Sequence, residues 1–193
     1  MIKEGSKSPW GEIQDVTPMM EGVVFVSTAG HGGIHLERGL NACVHFAFRH
    51  AGGWYEEDCA WCLPFIFVIK EALGKDKYEE AKKTFRDWYP EGYEKVFNVT
   101  LKDGESYIKD ERNFYENHKN DMVVVSASGD WKEGVPKGWV EVLAVRGGRN
   151  MQGQYHSQEQ AIYYIPKEIY DQRGRFGFIV DEKEYKRILQ PIT

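Results

Sequence analysis

Apolar and polar positions follow two different periods along this chain. Val23 to Val26 is apolar and largely β-branched, which predicts a buried strand. It stops at Ser27-Thr28-Ala29-Gly30-His31-Gly32-Gly33, a glycine-rich turn. From Leu40 to His50 the spacing becomes helical, with Leu40, Val44, Ala47 and Phe48 on one face and Ala51-Gly52-Gly53 as the stop. Asp58 to Leu73 predicts a second, mostly buried helix, which Pro64 either kinks or truly starts. Lys75 to Tyr89 is the clearest amphipathic helix, with Tyr78, Ala81, Phe85 and Trp88 on one side. Pro90 ends it, and a short helix is expected over Pro90 to Phe97.

The second half changes period. Glu105 to His118 is expected as a polar helix. Met122 to Ser126 and Trp139 to Val145 read as strands joined by a turn-rich link from Gly129 to Pro136. Arg146 to Gln158 is a polar loop, Ile162 to Ile165 and Phe176 to Val180 are further strands, and Asp181 to Glu184 resembles a helix start. Residues 1–21 read as an irregular N-terminal arm, with Trp10 and Ile13 docking on the core and Pro18 ending any regular element. The expected fold is α+β, one compact domain over residues 1–193. Its helices fall mainly in the first half. Its small, mostly antiparallel sheet uses second-half strands plus the strand near 23–27.

Composition narrows the class. Hydrophobics at 41% and aromatics at 14% support a real core. A net charge of -5, spread evenly, gives no basic patch, so nucleic acid is not a supported partner. Three cysteines suit no disulfide framework, and without an apolar leader they imply a reducing cytoplasm. The longest apolar run, Cys59 to Ile69, is about half the ~20 residues a membrane helix needs, so no membrane association is expected.

Candidate chemistry gathers in the first half. His31 sits among Gly30, Gly32 and Gly33 after a strand, where a loop leaves side chains accessible and glycine lets a ligand approach. A tight turn with a surface histidine has the same pattern. Glu56, Glu57 and Asp58 precede the second predicted helix, where capping is a sufficient reason for acids. They also suit a divalent cation or acid–base work. On a helix, successive residues lie about 100° apart, so all three cannot ligate one metal, and capping accounts best for Asp58.

Cys59 at a helix start would have a lowered pKa, with His31 as its base. The order strand, His-Gly, downstream cysteine is also that of the caspase-like proteases. The adjacent carboxylates oppose a thiolate, and the default is a small buried hydrophobe. Cys59-Ala60-Trp61-Cys62, with Cys43, His31, His35, His45 and His50, allows zinc as an alternative, but only one half-motif is present. The expectation is therefore no cofactor and no metal ligand set. The catalytic candidates are His31, Glu56, Glu57 and Cys59. The binding candidates are Gly30, Gly32, Gly33, Trp54, Asp130, Trp131, Arg146 and Arg149, the arginines as a clamp for phosphate or carboxylate and Trp131 as a stacking surface.

The segments Ser8 to Gly11, Val24 to Ile34, Gly53 to Cys59, Ser106 to Glu111 and Ser128 to Trp131 together resemble an uncharacterised family of small proteins carried by phages, plasmids and integrated elements of bacteria. The resemblance runs from about Ser8 to Gly148. It implies a mobile-element origin and the cytoplasm of a bacterial host. It supplies no reaction and no catalytic residue.

Two functions follow. One is an accessory protein that binds a host protein, a defence component included, without turnover. The other is a small cytoplasmic hydrolase or transferase built on His31 with Cys59 or with Glu56 and Glu57, with or without a metal. The second predicts that the turn at His31 and the segment Glu56 to Cys59 are neighbours in space.

Overall fold

A computed structural model describes residues 2–188. The class is α+β with antiparallel sheets. The chain divides into two compact units, with the boundary between Ile108 and Lys109.

The first unit opens on a small hairpin, β1 (Lys7–Ser8) and β2 (Gly11–Glu12). A four-stranded antiparallel sheet follows: β3 (Asp15–Met20), β4 (Val23–Ser27), β5 (Gly32–Leu36) and β6 (Trp54–Glu56), paired in that order. Half of residues 2–21, expected as an irregular arm, are therefore strand. Pro18 is tolerated because β3 is an edge strand, and the register shifts between Pro18 and Met20. Strand 23–27 pairs with its first-half neighbours, not with second-half strands.

Segment 38–53 corrects the helix expected over Leu40 to His50. It contains one helical turn, Arg38–Asn41, and two 3-10 turns, Phe46–Phe48 and Ala51–Gly53. The Arg49 guanidinium bonds the carbonyls of Ala42 at 2.7 Å and Val44 at 2.9 Å. Those acceptors no longer need a helix.

The second predicted helix begins later than Asp58. Backbone pairing holds Glu56 opposite Gly33, and Glu57 N–H bonds the Gly32 carbonyl. The chain is thus committed to the sheet until it turns, and helix starts at Cys62, where Pro64 lacks only an N–H that a first turn does not use. It continues as a π-helical turn, Phe65–Ile69. Helices Lys75–Trp88 and Pro90–Phe97 match their patterns. Their Ala81 and Phe85 join Val23, Ile34, Leu36 and Tyr55 in one core. Apolar burial of this kind supplies the main stabilisation.

The second unit is built on β7 (Met122–Ser128), β8 (Trp139–Arg146), β9 (Gln160–Pro166) and β10 (Ile179–Val180), in the order β10-β7-β8-β9. Alternation sends Val140, Val142 and Ala144 into the core with Tyr163 and Ile165. Helix Tyr107–Asn117 covers most of the polar stretch expected there. The expected strand over Phe176 to Val180 shrinks to its last two residues. Asp181 starts a single turn rather than a helix: its carbonyl accepts from Tyr185 N–H and its carboxylate from Lys183 N–H. Among the described residues, no helix is long and apolar enough to cross a membrane.

Candidate functional site

The turn between β4 and β5 is closed by its own polar groups. Thr28 N–H and its hydroxyl both donate to the His31 carbonyl, at 2.8 and 2.9 Å. His31 N–H returns to the Thr28 hydroxyl at 3.2 Å. This fixes the backbone at His31 and leaves its ring exposed.

The next two residues must be small. A Cβ on Gly32 would lie 2.6 Å from Glu57 Oε2, and Gly32 N–H donates to Glu57 Oε1 at 2.8 Å. A Cβ on Gly33 would meet the Trp10 ring and the Tyr55 carbonyl, both at 2.4 Å. Gly30, by contrast, is exposed with open space around it.

Antiparallel register then places Glu56 directly across from Gly33. The result is a cluster. His31 Nδ1 is 3.9 Å from Glu56 Oε1, and single ligand atoms of His31, Glu56 and Glu57 lie within 4.8 Å of one another. Glu56 Oε2 accepts from Asp58 N–H at 3.0 Å. Glu56 Oε1 is out of solvent and has no hydrogen-bond partner among the described residues. A carboxylate oxygen in that position is costly unless a donor or cation reaches it.

The turn at His31 and the Glu56–Glu57 segment are thus neighbours, as an enzyme site would require. Residues 56–58 are not helical, so the 100° spacing does not separate Glu56 from Glu57. Glu56 ends a strand, Glu57 begins a turn, and the Gly32 amide draws the Glu57 carboxylate back toward the sheet. Asp58 caps no helix, because none begins there.

Cys59 also lies in this turn, not at a helix N-terminus, so the dipole that would favour its thiolate is missing. Its Sγ is 3.7 Å from the Tyr89 hydroxyl. Burial, then the neighbouring Cys59, Cys62 and Glu56, push the Tyr89 hydroxyl well above its ordinary range, so it stays protonated. Cys62 is fully buried, and burial raises its thiol far above the usual value. The cysteines do not assemble with histidines. His50 Nδ1 lies 3.0 Å from the Trp54 carbonyl, and His45 Nδ1 accepts from Ala47 N–H. His35 lies 4.4 Å from the Trp54 ring, with burial lowering its pKa. Among the described residues, the one convergent group of three potential metal ligands is His31, Glu56 and Glu57.

Trp54 stands next to this cluster on β6. Trp10 meets it edge to face, with centroids 5.8 Å apart at 87°. The two tryptophans, with Pro9, His50, Ala51 and Glu56, line a cleft of about 410 Å³. Sequence reasoning placed Trp10 on the core but not beside the site. In the sequence pattern Tyr89 is only a helix end. The paired glycines, Gly32-Gly33, were the signal that something large approaches the strand.

The second-unit candidates do not form a clamp. Arg146 bonds Glu159 and Glu182, both at 2.7 Å, so its guanidinium is already neutralised. Arg149 is exposed and its backbone bridges Tyr155. Asp130 Oδ2 accepts from Gly138 N–H at 2.9 Å, which closes the link between β7 and β8. Trp131 is 79% exposed, with Gly129 beneath its ring. A cavity of about 570 Å³ lies between Tyr115 of helix Tyr107–Asn117, with Lys119 in the turn after it, and the loop residues Asn150 and Met151.

A family model described as a domain of unknown function, DUF7007, matches residues 3–119, more than half of the chain. No curated protein and no solved structure gives a match.

Proposed function

The chain belongs to this family, DUF7007, and from that premise we propose that its first unit is a small metal-assisted hydrolase. One divalent cation is held by His31, Glu56 and Glu57. The observation that carries the reading is the Glu56 oxygen, out of water and unpartnered, with an imidazole nitrogen 3.9 Å away. Three protein ligands leave coordination positions open, the mark of a catalytic rather than a structural ion. One imidazole with two carboxylates suits Zn²⁺ or Mn²⁺. Such an ion lowers the pKa of a bound water toward neutrality. Held there by His31, Glu56 and Glu57, the ion would supply the acidity that turns water into a nucleophile for hydrolysis. The family resemblance adds a mobile-element origin and a bacterial cytoplasm to the proposal.

The test is calorimetric titration of the chelator-treated full chain with Zn²⁺ and Mn²⁺. His31→Ala and Glu57→Gln should each weaken binding at least tenfold. Glu57→Gln retains the oxygen that accepts from Gly32, so the turn is preserved. Binding unaltered by both substitutions would sink the reading.

A second reading, binding of a host protein without turnover, is favoured by Trp131, 79% exposed on the link between β7 and β8. Tryptophan is among the residue types enriched at interface hot spots. Trp131→Ala should then abolish binding of a host protein while metal binding is unchanged.

A further inference from the structure

The cleft beside Glu56 has a definite chemistry. Two indoles set at 87° to each other form its aromatic part, and Pro9 and Ala51 add apolar surface. Its polar groups are His50 and Glu56. Among the described residues that line it there is neither lysine nor arginine, so an anionic ligand would find no counter-charge. His50 Nδ1 lies 3.0 Å from the Trp54 carbonyl, and its ring lies flat on the Tyr55 ring, 4.8 Å between centroids, so its Nε2 is the nitrogen left for a ligand. The polar side of the cleft is therefore His50 Nε2 together with the Glu56 carboxylate, which accepts hydrogen bonds and donates none.

We infer that this cleft binds the ring of an uncharged carbohydrate, placed against Trp10 and Trp54 with its hydroxyl edge toward Glu56. The inference deepens the metal-hydrolase reading and rests on it for the role of Glu56. A sugar ring has an apolar C–H face that an indole covers and hydroxyl donors at its rim. Both halves match what lines the cleft. A nucleotide would bring phosphate charge to a wall with no cation. An organic ammonium would suit the indoles but leave the hydrogen-bonding edge at His50 and Glu56 without hydroxyl donors, and the choline arm of the test separates the two. At about 410 Å³ the cleft falls within the range of small-molecule sites. Gly33 is what makes it possible, since any side chain there would displace the Trp10 ring.

The experiment follows the indole N–H resonances of the full chain by proton–nitrogen correlation spectra. Four probes are titrated: maltotriose, chitotriose, choline and AMP. Saturable shifts of the Trp10 and Trp54 signals with either trisaccharide, and not with choline or AMP, are expected. Ala51→Phe fills the cleft from an exposed position and should abolish the shifts while leaving the rest of the spectrum in place. Trp10→Phe should weaken binding severalfold. Shifts produced only by choline or only by AMP, or by none of the four probes, would overturn the inference, as would full binding by Ala51→Phe. The titration is run with and without Zn²⁺, which separates the two claims. Sugar binding without any metal binding leaves the cleft assignment standing and removes the hydrolase. Metal binding without sugar binding does the reverse.

Discussion

The indole of Trp10 occupies the space that a side chain on Gly33 would need. Its Cη2 is 2.4 Å from the position of a Cβ at residue 33, and the Tyr55 carbonyl is equally close. The backbone carbonyl cannot move without breaking the β5–β6 ladder, so the ring must. Gly33→Ala is expected to destabilise the chain by about 1–3 kcal/mol, the usual cost of overpacking. Gly30→Ala, made in open space, should stay within about 0.5 kcal/mol of the parent. Urea unfolding followed by tryptophan fluorescence compares the two. Equal stability for both would refute the account of Trp10.

Arg49 replaces a helix in segment 38–53. Its fork satisfies the Ala42 and Val44 carbonyls, at 2.7 to 3.1 Å. Lysine offers a point charge in place of the fork and cannot reach both acceptors in that geometry. Arg49→Lys should cost about 1–2 kcal/mol. Hydrogen exchange at Ala42 to Phe48 should quicken more than elsewhere in the unit. A uniform change across the unit would show that Arg49 acts some other way.

That segment also shows which parts of the fold were legible. Helix Lys75–Trp88 was readable because its apolar positions recur at one period and a proline closes it. β7 and β8 were readable from their apolar, β-branched runs. Leu40 to His50 carries helical spacing too, but the Arg49 side chain, reaching back to the carbonyls of Val44 and Ala42, decides it, and the apolar spacing does not record that. The site was half visible. His31, Glu56 and Glu57 stood out as residue types in suggestive places. Their convergence depends on the pairing of Gly33 with Glu56, a register set by the whole sheet. The assumption of a helix at Asp58 then pointed the acids apart when the sheet and the Gly32 amide bring two of them together.

In the second unit the carboxylate of Glu159 is shared by Arg146 and Arg187, at 2.7 and 2.6 Å. The Arg146 bond, then the Arg187 bond, pull it down to about 2. Glu182 is held low by the same two arginines. Both groups bind protons less readily folded than unfolded. Their contribution is complete above the unfolded carboxylate range, near 4.3, and is lost as pH falls from there toward 2. Thermal midpoints of the full chain should therefore drop across that window. The drop should be smaller for Glu159→Gln and in 1 M NaCl, because the cluster is solvent-facing and screened. An equal drop for parent and variant would remove the cluster as its cause.

The three cysteines should separate by reactivity. Cys43 is exposed and makes only a long contact with the Gly39 carbonyl, at 3.7 Å. Cys59 is part-buried beside the Tyr89 hydroxyl. Cys62 is fully buried, and burial raises its thiol pKa well above the usual value, so thiolate is scarce where reagent is also excluded. With a chromogenic disulfide reagent at neutral pH, Cys43 should label first. Cys62 should label only at the rate at which the first unit opens, and so accelerate steeply with urea. Cys43→Ser should remove the fast phase and leave the urea-dependent one untouched. If all three thiols react in one phase without denaturant, Cys62 is not the sealed core residue that its surroundings require, and the packing of segment 62–69 against Phe85 would have to be reconsidered.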